Sequence, residues 1–522
     1  MNKSPLHETA LERLREAVGG DRVITDAKRL ASLSHDIAGP GKAEPVCVVM
    51  PASLEALQQA VAAATGSQLS VVPRGGGMSY SGGYTPSQDG CVLIDTSRLR
   101  SVSEINIADR YIVVEAGCNW ATLYDALSGT GFRPPSFGPL SGSVSTVGGA
   151  VSQNALFFGS ATAGSIAGTV IGLEIVLADG RLLQTGVLRS DGVVALPHGP
   201  DLTHLFVGDC GAFGVKARIA LRLEPTPGGE AFLSVAFDDL DAMLDAQADL
   251  AGRPGLGECF TFDRQTHANI LERRISFREK IGTVTKMAKK PGGLAKAALL
   301  PLDGLGFLEN AEYSMHLSIE GDDAKHAAAR EKTLLNELVR RGGAELPDAI
   351  PRITRARPFG PVTALLGPQG ENWLPVHGAV SLSRVRNCVQ DLQAMLETRS
   401  TEMAKAGVTF TVLTVLAPRF VLVEPQFFWP DQLSPFHMAH VTSEQARLHA
   451  RAPSNMAARE LVHALRKSAV QTMDAHGASH MQIGRFYPYR SRLTEAQTEI
   501  FRLLRVAMDP SARMNPGVLD TE

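Results

Sequence analysis

The residues of this chain that could do chemistry begin with a glycine-rich stretch, Val71-Val72-Pro73-Arg74-Gly75-Gly76-Gly77-Met78-Ser79. The β-branched pair is typical of the end of a buried strand, which Pro73 should stop. Three consecutive glycines can adopt positive φ and turn their backbone N–H groups toward one point, which forms a nest for an anion, usually a phosphate. Arg74 adds a positive charge. The stretch therefore predicts a binding loop for a phosphorylated ligand, rather than an ordinary glycine-rich turn.

Two common phosphate-binding motifs do not fit this loop. A P-loop requires Gly-Lys-Ser/Thr after its spacer, whereas Met78-Ser79-Tyr80 contains no lysine. A dinucleotide fingerprint requires a third glycine where this chain has Tyr80, counting from Gly75. The loop must therefore belong to another type of cofactor fold.

Composition and charge limit the classes of protein to which this chain can belong. The chain has 522 residues, 44% hydrophobic and 20% charged, with a net charge of −3, which is typical of a multidomain globular protein without a nucleic-acid footprint. Its six cysteines are scattered without CxxC or zinc-ligand spacing, which indicates free thiols in a reducing compartment. The first residues lack the apolar core of a signal peptide, and no apolar run reaches 18 residues. We therefore expect a cytoplasmic protein without a transmembrane segment.

The elements needed to position the loop are readable from periodicity. A strand at 46–49, a helix at 54–65 and a strand at 69–72 lead directly into the loop. Strands and helices continue to alternate up to residue 223. The turn-rich run 225–229 marks a boundary, after which strand, helix and strand recur in the order of an α+β unit on an antiparallel sheet.

Four blocks in a fixed order resemble one known family. After residues 73–79 come Pro134 to Asn154, the segment 208–215, which is similar to a Gly-x-x-Gly-x-x-Gly-Val/Ile motif, and Asp509 to Leu519. Together they resemble the FAD-binding fold of the vanillyl-alcohol oxidase and para-cresol methylhydroxylase superfamily (FAD-binding PCMH-type). The resemblance covers the first 225 residues and the last 50.

The resemblance implies an α+β, two-domain fold with FAD as cofactor. Residues 1–225, with 470–522 returning, would form the FAD-binding domain, and 226–469 the substrate-binding cap domain on an antiparallel sheet. The residues implied to bind FAD are Pro73, Arg74, Gly75, Gly76, Gly77, Met78, Ser79, Gly138, Ser145, Thr146, Gly148, Gly149, Ser152, Asn154, Gly211, Gly214, Val215 and Asn515. Non-covalent FAD is expected, because the loop holds no histidine for a covalent bond.

The D-lactate dehydrogenase and glycolate oxidase D-subunit branch suggests where catalysis lies. Gly477 to Gly484 resembles its Gly-Glu-His-Gly-Ile-Gly segment, although Ser479 replaces the glutamate, and places His480 as proton acceptor. Relatives that oxidise phenols have a Tyr-Arg pair near Tyr487 and Arg485. These two residues could equally be surface residues.

Two further groups are candidates for the substrate site. Relatives that oxidise 2-hydroxy acids carry a carboxylate-binding arginine near the run that contains Arg352, Arg355 and Arg357, and a strand there would put Arg355 and Arg357 on one face. Glu424 alternates with Phe420 and Leu422 on an apolar strand, where a carboxylate needs a partner or a role.

The chain lacks the stretch that supplies metal-binding histidines in that branch. Residues 411–430 contain no histidine, and His437 and His440 offer only an i, i+3 pair without a third ligand. We therefore expect no catalytic metal.

Three functions remain open at this point. The first is the oxidation of a small alcohol or 2-hydroxy acid by hydride transfer to flavin N5. The second is the oxidation of a para-substituted phenol, and the third is a catalytically silent electron-transfer subunit. The electron acceptor (oxygen, a quinone or a redox protein) stays open, and a homo-oligomer is expected. The basic segment 278–308 is either a docking site or a solvated insertion.

Overall fold

The computed structural model describes residues 5–273, 305–360, 362, 365–441, 447 and 452–520. Up to residue 225 the helices are α1 (Pro5–Val18), α2 (Ala27–Leu33), α3 (Leu54–Gly66), α4 (Trp120–Ala126), α5 (Val147–Gln153) and α6 (Ser160–Ala163). The strands are β1 (Val23–Ile24), β2 (His35–Asp36), β3 (Gly39–Pro40), β4 (Cys47–Val49), β5 (Ser70–Arg74), β6 (Cys91–Asp95), β7 (Val102–Asn106), β8 (Tyr111–Glu115), β9 (Phe132–Arg133), β10 (Val170–Val176), β11 (Leu182–Gln184), β12 (Leu188–Arg189), β13 (Gly192–Val193), β14 (Val215–Arg222) and β15 (Glu224–Pro225).

Two sheets organise this half of the chain. The first has the order β1-β4-β6-β5, with β4, β6 and β5 parallel, and the second is antiparallel in the order β11-β10-β14-β8-β7. The strand β5 runs on through Pro73 to Arg74, so the expected stop at the proline is wrong. Proline is tolerated there because β5 is the last strand of its sheet.

The second half is built on one large sheet. Its helices are α7 (Leu240–Asp249), α8 (Arg264–Glu272), α9 (Ala324–Arg340), α10 (Ala349–Ala356), α11 (Val385–Glu397), α12 (Ser400–Ala406), α13 (Pro435–His440), α14 (Met456–Ala475) and α15 (Glu495–Met508). Its strands are β16 (Gly229–Phe237), β17 (Leu256–Asp263), β18 (Tyr313–Gly321), β19 (Ala344–Leu346), β20 (Asn372–Pro375), β21 (Gly378–Ser381), β22 (Thr409–Ala417) and β23 (Phe420–Trp429). All eight strands pair antiparallel, which confirms the predicted α+β class.

Strand alternation gives this sheet two apolar faces. Val421 and Val423 of β23 belong to the core that includes α7, α9, α11 and α14. Leu422 belongs instead to the core that contains Phe157 and Phe158 of the first half. Because side chains alternate along a strand, Glu424 shares the face of Leu422 and is directed toward the first half of the chain.

The C-terminal segment returns to the glycine-rich loop. The Val71 N–H donates to Arg513 O, and the Asn515 N–H donates to Val71 O at 2.7 Å. The fully buried Asn515 Nδ2 donates to Gly83 O at 2.7 Å and to Cys210 O at 2.6 Å. The Asn515 side chain therefore holds the loop at Gly83 and the loop at Cys210 together, and this contact is called the clamp. Its carboxamide oxygen also accepts from Arg485 at 2.6 Å, and its predicted contact with FAD stays a prediction.

Two predicted features, the strand near residue 355 and the boundary at 470, fall on helices in the structure. The arginine run near residue 355 lies on the helix α10, so the strand considered there is wrong, and Arg352 and Arg355 share a face instead. The predicted boundary at 470 falls inside α14, which continues to Ala475. Most of the basic segment 278–308 lies outside the described residues. Among the described helices, none combines the length and apolar character of a membrane span.

The clamp can be tested by the Asn515→Ala substitution. Because two buried carbonyl groups and the Arg485 guanidinium lose a partner, we expect the free energy of unfolding to fall by about 3 kcal/mol. Urea denaturation followed by circular dichroism measures this loss. The exposed Asn336→Ala on α9 is the control, with an expected change within about 0.5 kcal/mol. Equal effects of the two substitutions would contradict the clamp.

Candidate active site

The glycine-rich loop lies directly against the segment that precedes α5. A Cβ atom on Gly75 would collide with the Thr146 hydroxyl, and one on Gly76 would collide with the Val144 carbonyl oxygen. Thr146 is also the N-cap of α5, where its hydroxyl accepts from the Gly149 N–H at 3.1 Å. Backbone therefore packs on backbone here, and side chains at these positions would separate the two segments.

The loop 75–79 and the segment before α5 together form a cradle, in which backbone N–H groups of the loop are available to a ligand. Among the described residues, no protein acceptor is hydrogen-bonded to the backbone N–H groups of residues 75–79. Arg74 is buried next to the loop and donates to His35 O at 3.0 Å. Gly77 packs against its guanidinium group. A row of unpaired N–H groups over a buried arginine fits the pyrophosphate of FAD. Residues 75–79 would hold that group.

The other predicted FAD-binding residues divide into two sets. Several glycines permit close packing, because a Cβ on Gly138, Gly148, Gly211 or Gly214 would collide with Trp120, Ala116, Pro73 or Ile175, respectively. Val215 is a buried core residue of β14. Ser145 and Thr146 precede α5, Gly148, Gly149 and Ser152 lie on it, and Asn154 is its C-cap, with a positive φ of 55° and a buried Oδ1 that has no protein partner in the described part of the chain. FAD contacts from these residues stay predictions.

A buried polar cluster lies where this loop meets the large sheet. His377 Nδ1 is 3.0 Å from the Tyr80 hydroxyl and 3.1 Å from the Tyr487 hydroxyl. The Tyr80 hydroxyl is also 3.5 Å from Glu424 Oε2, and Gln426 Nε2 donates to Glu424 Oε1 at 2.8 Å. The cluster thus joins the loop, the strand β23 and the C-terminal segment.

The protonation of His377 follows from its surroundings. Burial and the neighbouring His480 lower the pKa of His377 to about 3, so the ring is neutral near pH 7. Its Nε2 lies 3.1 Å from Met481 O, a pure acceptor, and therefore carries the hydrogen. Nδ1 is left as an acceptor that faces two tyrosine hydroxyls. Only one hydroxyl at a time can donate to its lone pair, so Tyr80 and Tyr487 cannot both donate to His377.

Glu424 is the carboxyl group of this cluster. Burial raises the pKa of Glu424 to about 7, although hydrogen bonds from Gln426 and Tyr80 oppose the rise. The residue is nevertheless only partly buried, so the core does not enclose it completely. A carboxyl group that titrates near neutral pH has the properties of a group that accepts or holds a proton.

Arg466 brings positive charge to the cluster. It is 1% exposed, donates to Pro375 O at 2.9 Å and to Tyr80 O at 2.8 Å, and stacks over Phe486 at 4.0 Å. No carboxylate of the described residues forms an ion pair with it. Its charge opposes the rise that burial causes in the pKa values of Tyr80 and Tyr487. The adjoining space therefore favours an anionic group.

His480 lies beside this cluster. Its Nε2 lies 2.6 Å from Asp474 Oδ1 and its Nδ1 lies 2.8 Å from His377 O, with the ring stacked on Tyr487 at 4.6 Å. Because both ring nitrogens face acceptors and the side chain is 1% exposed, these contacts favour a positioning residue. The catalytic role of His480 stays a prediction.

Arg355 is likewise occupied. Its guanidinium is paired with Glu320 and lies 3.3 Å from both Glu230 and Glu258. Three carboxylates around one buried cation favour a structural role, and the prediction of Arg355 as substrate anchor stays a prediction. Arg357 lies half-buried just after α10, and its role stays a prediction.

Arg485 also serves the structure. It donates to the carbonyl groups of Gly82, Thr85 and Pro516 in addition to Asn515. These contacts favour a structural role for Arg485, whereas Tyr487 lies in the cluster, and the phenolate-binding pair of Tyr487 and Arg485 stays a prediction.

Four residues of the cluster were not predicted as site residues, namely Tyr80, His377, Gln426 and Arg466. Tyr80 appears in the sequence as the residue that breaks a dinucleotide fingerprint, and its position beside five glycines was the available signal. Nothing local distinguishes His377, since its partners lie more than 100 residues away. In the described part of the chain, no three His, Cys, Asp and Glu side chains are arranged to hold a metal ion.

The close approach of the loop predicts the effect of Gly76→Ala. The added methyl group must displace backbone at Val144, so we expect the purified protein to lose at least about 90% of its bound flavin, by analogy with other overpacked sites. The ratio of flavin to protein absorbance measures this. Gly66→Ala at the end of α3, where nothing lies within 4 Å, is the control and should retain FAD.

The raised pKa of Glu424 predicts a pH-dependent stability. The folded state prefers the protonated carboxyl, so the stability that this preference contributes is present below pH 4.5 and is lost as the pH rises through about 7. The Glu424→Gln variant should equal the wild type at pH 4.5 and exceed it at pH 8 by about 2–3 kcal/mol. Urea denaturation at the two pH values measures this, with the exposed Glu16→Gln as control. A difference independent of pH would contradict the assignment.

Sequence comparison identifies the cofactor domain. Residues 45–186 match the FAD binding domain family. The chain is 28% identical to a glycolate oxidase subunit of Bacillus subtilis over 42% of its length, 30% identical to a probable mitochondrial D-2-hydroxyglutarate dehydrogenase of Oryza sativa subsp. indica over 49%, and 30% identical to a D-lactate dehydrogenase of Archaeoglobus fulgidus over 41%. These matches cover 45%, 44% and 47% of the relatives, so the chain spans less than half the length of each.

Structural comparison extends over the whole fold. A 4-ethylphenol oxidase from Gulosibacter chungangensis superposes with a TM-score of 0.71 at 16% identity, over 99% of this chain and 97% of that one. p-Cresol methylhydroxylase superposes with a TM-score of 0.70 at 14% identity, over 100% and 98%. The predicted fold and the predicted cofactor are thereby confirmed. The chain carries an FAD binding domain, has FAD as its cofactor and adopts the PCMH-type fold.

Proposed function

We propose that this protein is an FAD-dependent oxidoreductase that oxidises the CH–OH group of a small alcohol or 2-hydroxy acid, with Glu424 as the group that accepts the hydroxyl proton. The observation that carries this proposal is the half-buried Glu424 carboxyl, whose pKa is raised to about 7 and which faces the cofactor half of the chain beside Tyr80. The similarity to enzymes named for glycolate, D-lactate and D-2-hydroxyglutarate supports it.

The roles of the chain's residues follow from the cluster. Bound FAD supplies the hydride acceptor. Glu424, when ionised, takes the proton of the substrate hydroxyl, and the Tyr80 hydroxyl stabilises the carboxylate. His377 accepts a hydrogen bond from Tyr80 or Tyr487 and thereby fixes their orientation.

Arg466 favours a 2-hydroxy acid over a neutral alcohol. Among the described residues, no carboxylate lies within ion-pair distance of this buried cation and Asp36 acts on it from further away, so a substrate carboxylate would be a closer counter-ion. The two carbonyl groups that it binds fix its position.

A para-substituted phenol is the second candidate substrate. The specific observation in its favour is the buried positive charge of Arg466 beside the Tyr80 and Tyr487 hydroxyls, because that charge would also stabilise a phenolate oxygen. A catalytically silent flavoprotein is the remaining alternative.

The proposal predicts which compounds reduce the flavin. Anaerobic mixing of the FAD-loaded protein with glycolate, D-lactate or D-2-hydroxyglutarate should bleach the oxidised flavin band, whereas the matching alcohols without the carboxylate should react at least about tenfold more slowly. Bleaching only by para-alkylphenols would favour the second candidate. A flavin that is reduced by dithionite but by no compound of the panel would support the silent subunit and contradict both enzymes.

The proton acceptor is tested by Glu424→Gln with the reactive compound. We expect reduction to slow by about 100-fold or more with FAD retained, since general base catalysis contributes about 10²–10⁴. The wild-type rate should rise as the pH increases through about 7, because only the ionised carboxylate accepts a proton, and this rise should be absent in the variant. Glu16→Gln should behave as the wild type. A wild-type rate that is flat between pH 5.5 and 8.5, where the pKa of about 7 should be visible, would contradict the role.

A further inference from the structure

A pocket of about 480 Å³ lies where the two halves of the chain are connected, and we call it the junction pocket. The first half lines it with α4 and with the chain that follows up to Phe137, and the second half lines it with β16 and α10. Thr226 and Pro227, at the connection itself, line it as well. Among the described residues that line it are none of the cradle and none of the side chains around Glu424. Its volume is that of a site for a small molecule.

Aromatic and aliphatic side chains form most of the walls of the junction pocket. These are Trp120, Leu123, Leu127, Phe132, Phe137 and Phe232. Arginines lie over two of the rings, since Arg133 is 5.3 Å from the centre of the Phe137 ring and Arg352 is 4.9 Å from the centre of the Phe232 ring. Walls of this kind favour a ligand with a flat apolar body, because aromatic rings pack well against other rings.

The charges around the junction pocket disfavour an anionic ligand. Three arginines line it, Arg133, Arg352 and Arg355, and each is paired with at least one carboxylate. The carboxylates that pair with them are those of Glu224, Glu230, Glu258, Glu320 and Asp348. Because these five carboxylates outnumber the three arginines, a further negative charge would be repelled. The ligand is therefore expected to be neutral or cationic.

The hydrogen-bonding atoms of the junction pocket decide between these two classes. Trp120 is 0% exposed, and its Nε1 has no hydrogen-bond partner among the described residues. The same holds for Nε of Arg133 and for Nε and Nη1 of Arg355. All of these nitrogens carry hydrogens and can only donate, so a cationic ligand, which also donates, would leave them unpaired. Glu258 Oε2, a buried acceptor without a partner, belongs to a residue that does not line the pocket.

We propose that the junction pocket binds a small neutral aromatic compound with a carbonyl group, whose oxygen accepts a hydrogen bond from Trp120 Nε1 and whose ring packs among the rings of the walls. A ligand there contacts both halves of the chain, so its binding stabilises the folded protein. The site is separate from the one proposed for oxidation, and it does not depend on which substrate reduces the flavin.

Calorimetric titration of the FAD-loaded protein with acetophenone, benzoate and benzylammonium tests the proposal. The three probes share a phenyl ring and differ in the charge and hydrogen bonding of the attached group. We expect acetophenone to bind at least about tenfold more tightly than the other two. Trp120→Phe keeps an aromatic ring but removes the N–H donor, so it should raise the dissociation constant of acetophenone by about tenfold with an unchanged flavin content. Trp373→Phe, which makes the same replacement beside Tyr80, is the matched control and should change nothing.

A second variant fills the junction pocket instead of removing a donor. Ala356 lines the pocket from α10, and Ala356→Leu should abolish the binding of acetophenone while the flavin is retained. Acetophenone that does not bind at millimolar concentration would overturn the proposal, as would binding that is indifferent to Trp120→Phe or to Ala356→Leu. Tighter binding of benzoate or benzylammonium would overturn the ligand class. Affinity that is lost in Trp373→Phe rather than in Trp120→Phe would overturn the location, since the probe would then bind in the cluster around Glu424.

Discussion

The close approach of two backbone segments is the constraint on which the rest of this structure depends. Gly75 and Gly76 lie against Val144 and Thr146 at a distance that no side chain would allow. This contact leaves the N–H groups of residues 75–79 turned away from protein acceptors and available to a pyrophosphate. The same loop continues to Tyr80, whose hydroxyl reaches the large sheet. One short loop therefore connects the cofactor cradle to the acid-base cluster.

The cluster combines neutral and charged groups whose states depend on one another. His377 is kept neutral by burial and by His480, and it therefore accepts from the tyrosines rather than competing with them as a donor. Glu424 is half-ionised near pH 7 because burial disfavours its charge. Arg466 contributes the positive potential, and its carbonyl partners do not neutralise it. A small anionic substrate in this space would balance the charges that the fold brings together.

The sequence predicts local features of this protein well. The loop, the α/β alternation before residue 225 and the antiparallel α+β unit after it depend on glycine content and on periodicity, which are local properties. The secondary structure of the arginine run near residue 355 was not predicted, because Arg-Ile-Thr-Arg-Ala-Arg has no clear period. The run forms a helix, in which Arg355 pairs with Glu230, Glu258 and Glu320 from other parts of the chain. Local pattern does not contain those partners.

The site was harder to predict than the fold for the same reason. His480 was selected as a catalytic histidine by its type and motif, yet Asp474 and the carbonyl group of His377 occupy both of its nitrogens. Tyr80 and His377 are 297 residues apart in the chain and meet only after two halves of the protein have packed together. Glu424 was found because a carboxylate on an apolar strand conflicts with its surroundings, and such conflicts are readable from sequence.

The most direct test of the proposed site is a crystal structure of the FAD-loaded protein with a non-reactive 2-hydroxy acid analogue. We expect the FAD pyrophosphate on the N–H groups of residues 75–79. We expect the analogue hydroxyl within hydrogen-bond distance of Glu424, with its carboxylate toward Arg466. A pyrophosphate bound elsewhere, or a flavin ring and analogue that leave Glu424 out of reach, would contradict it.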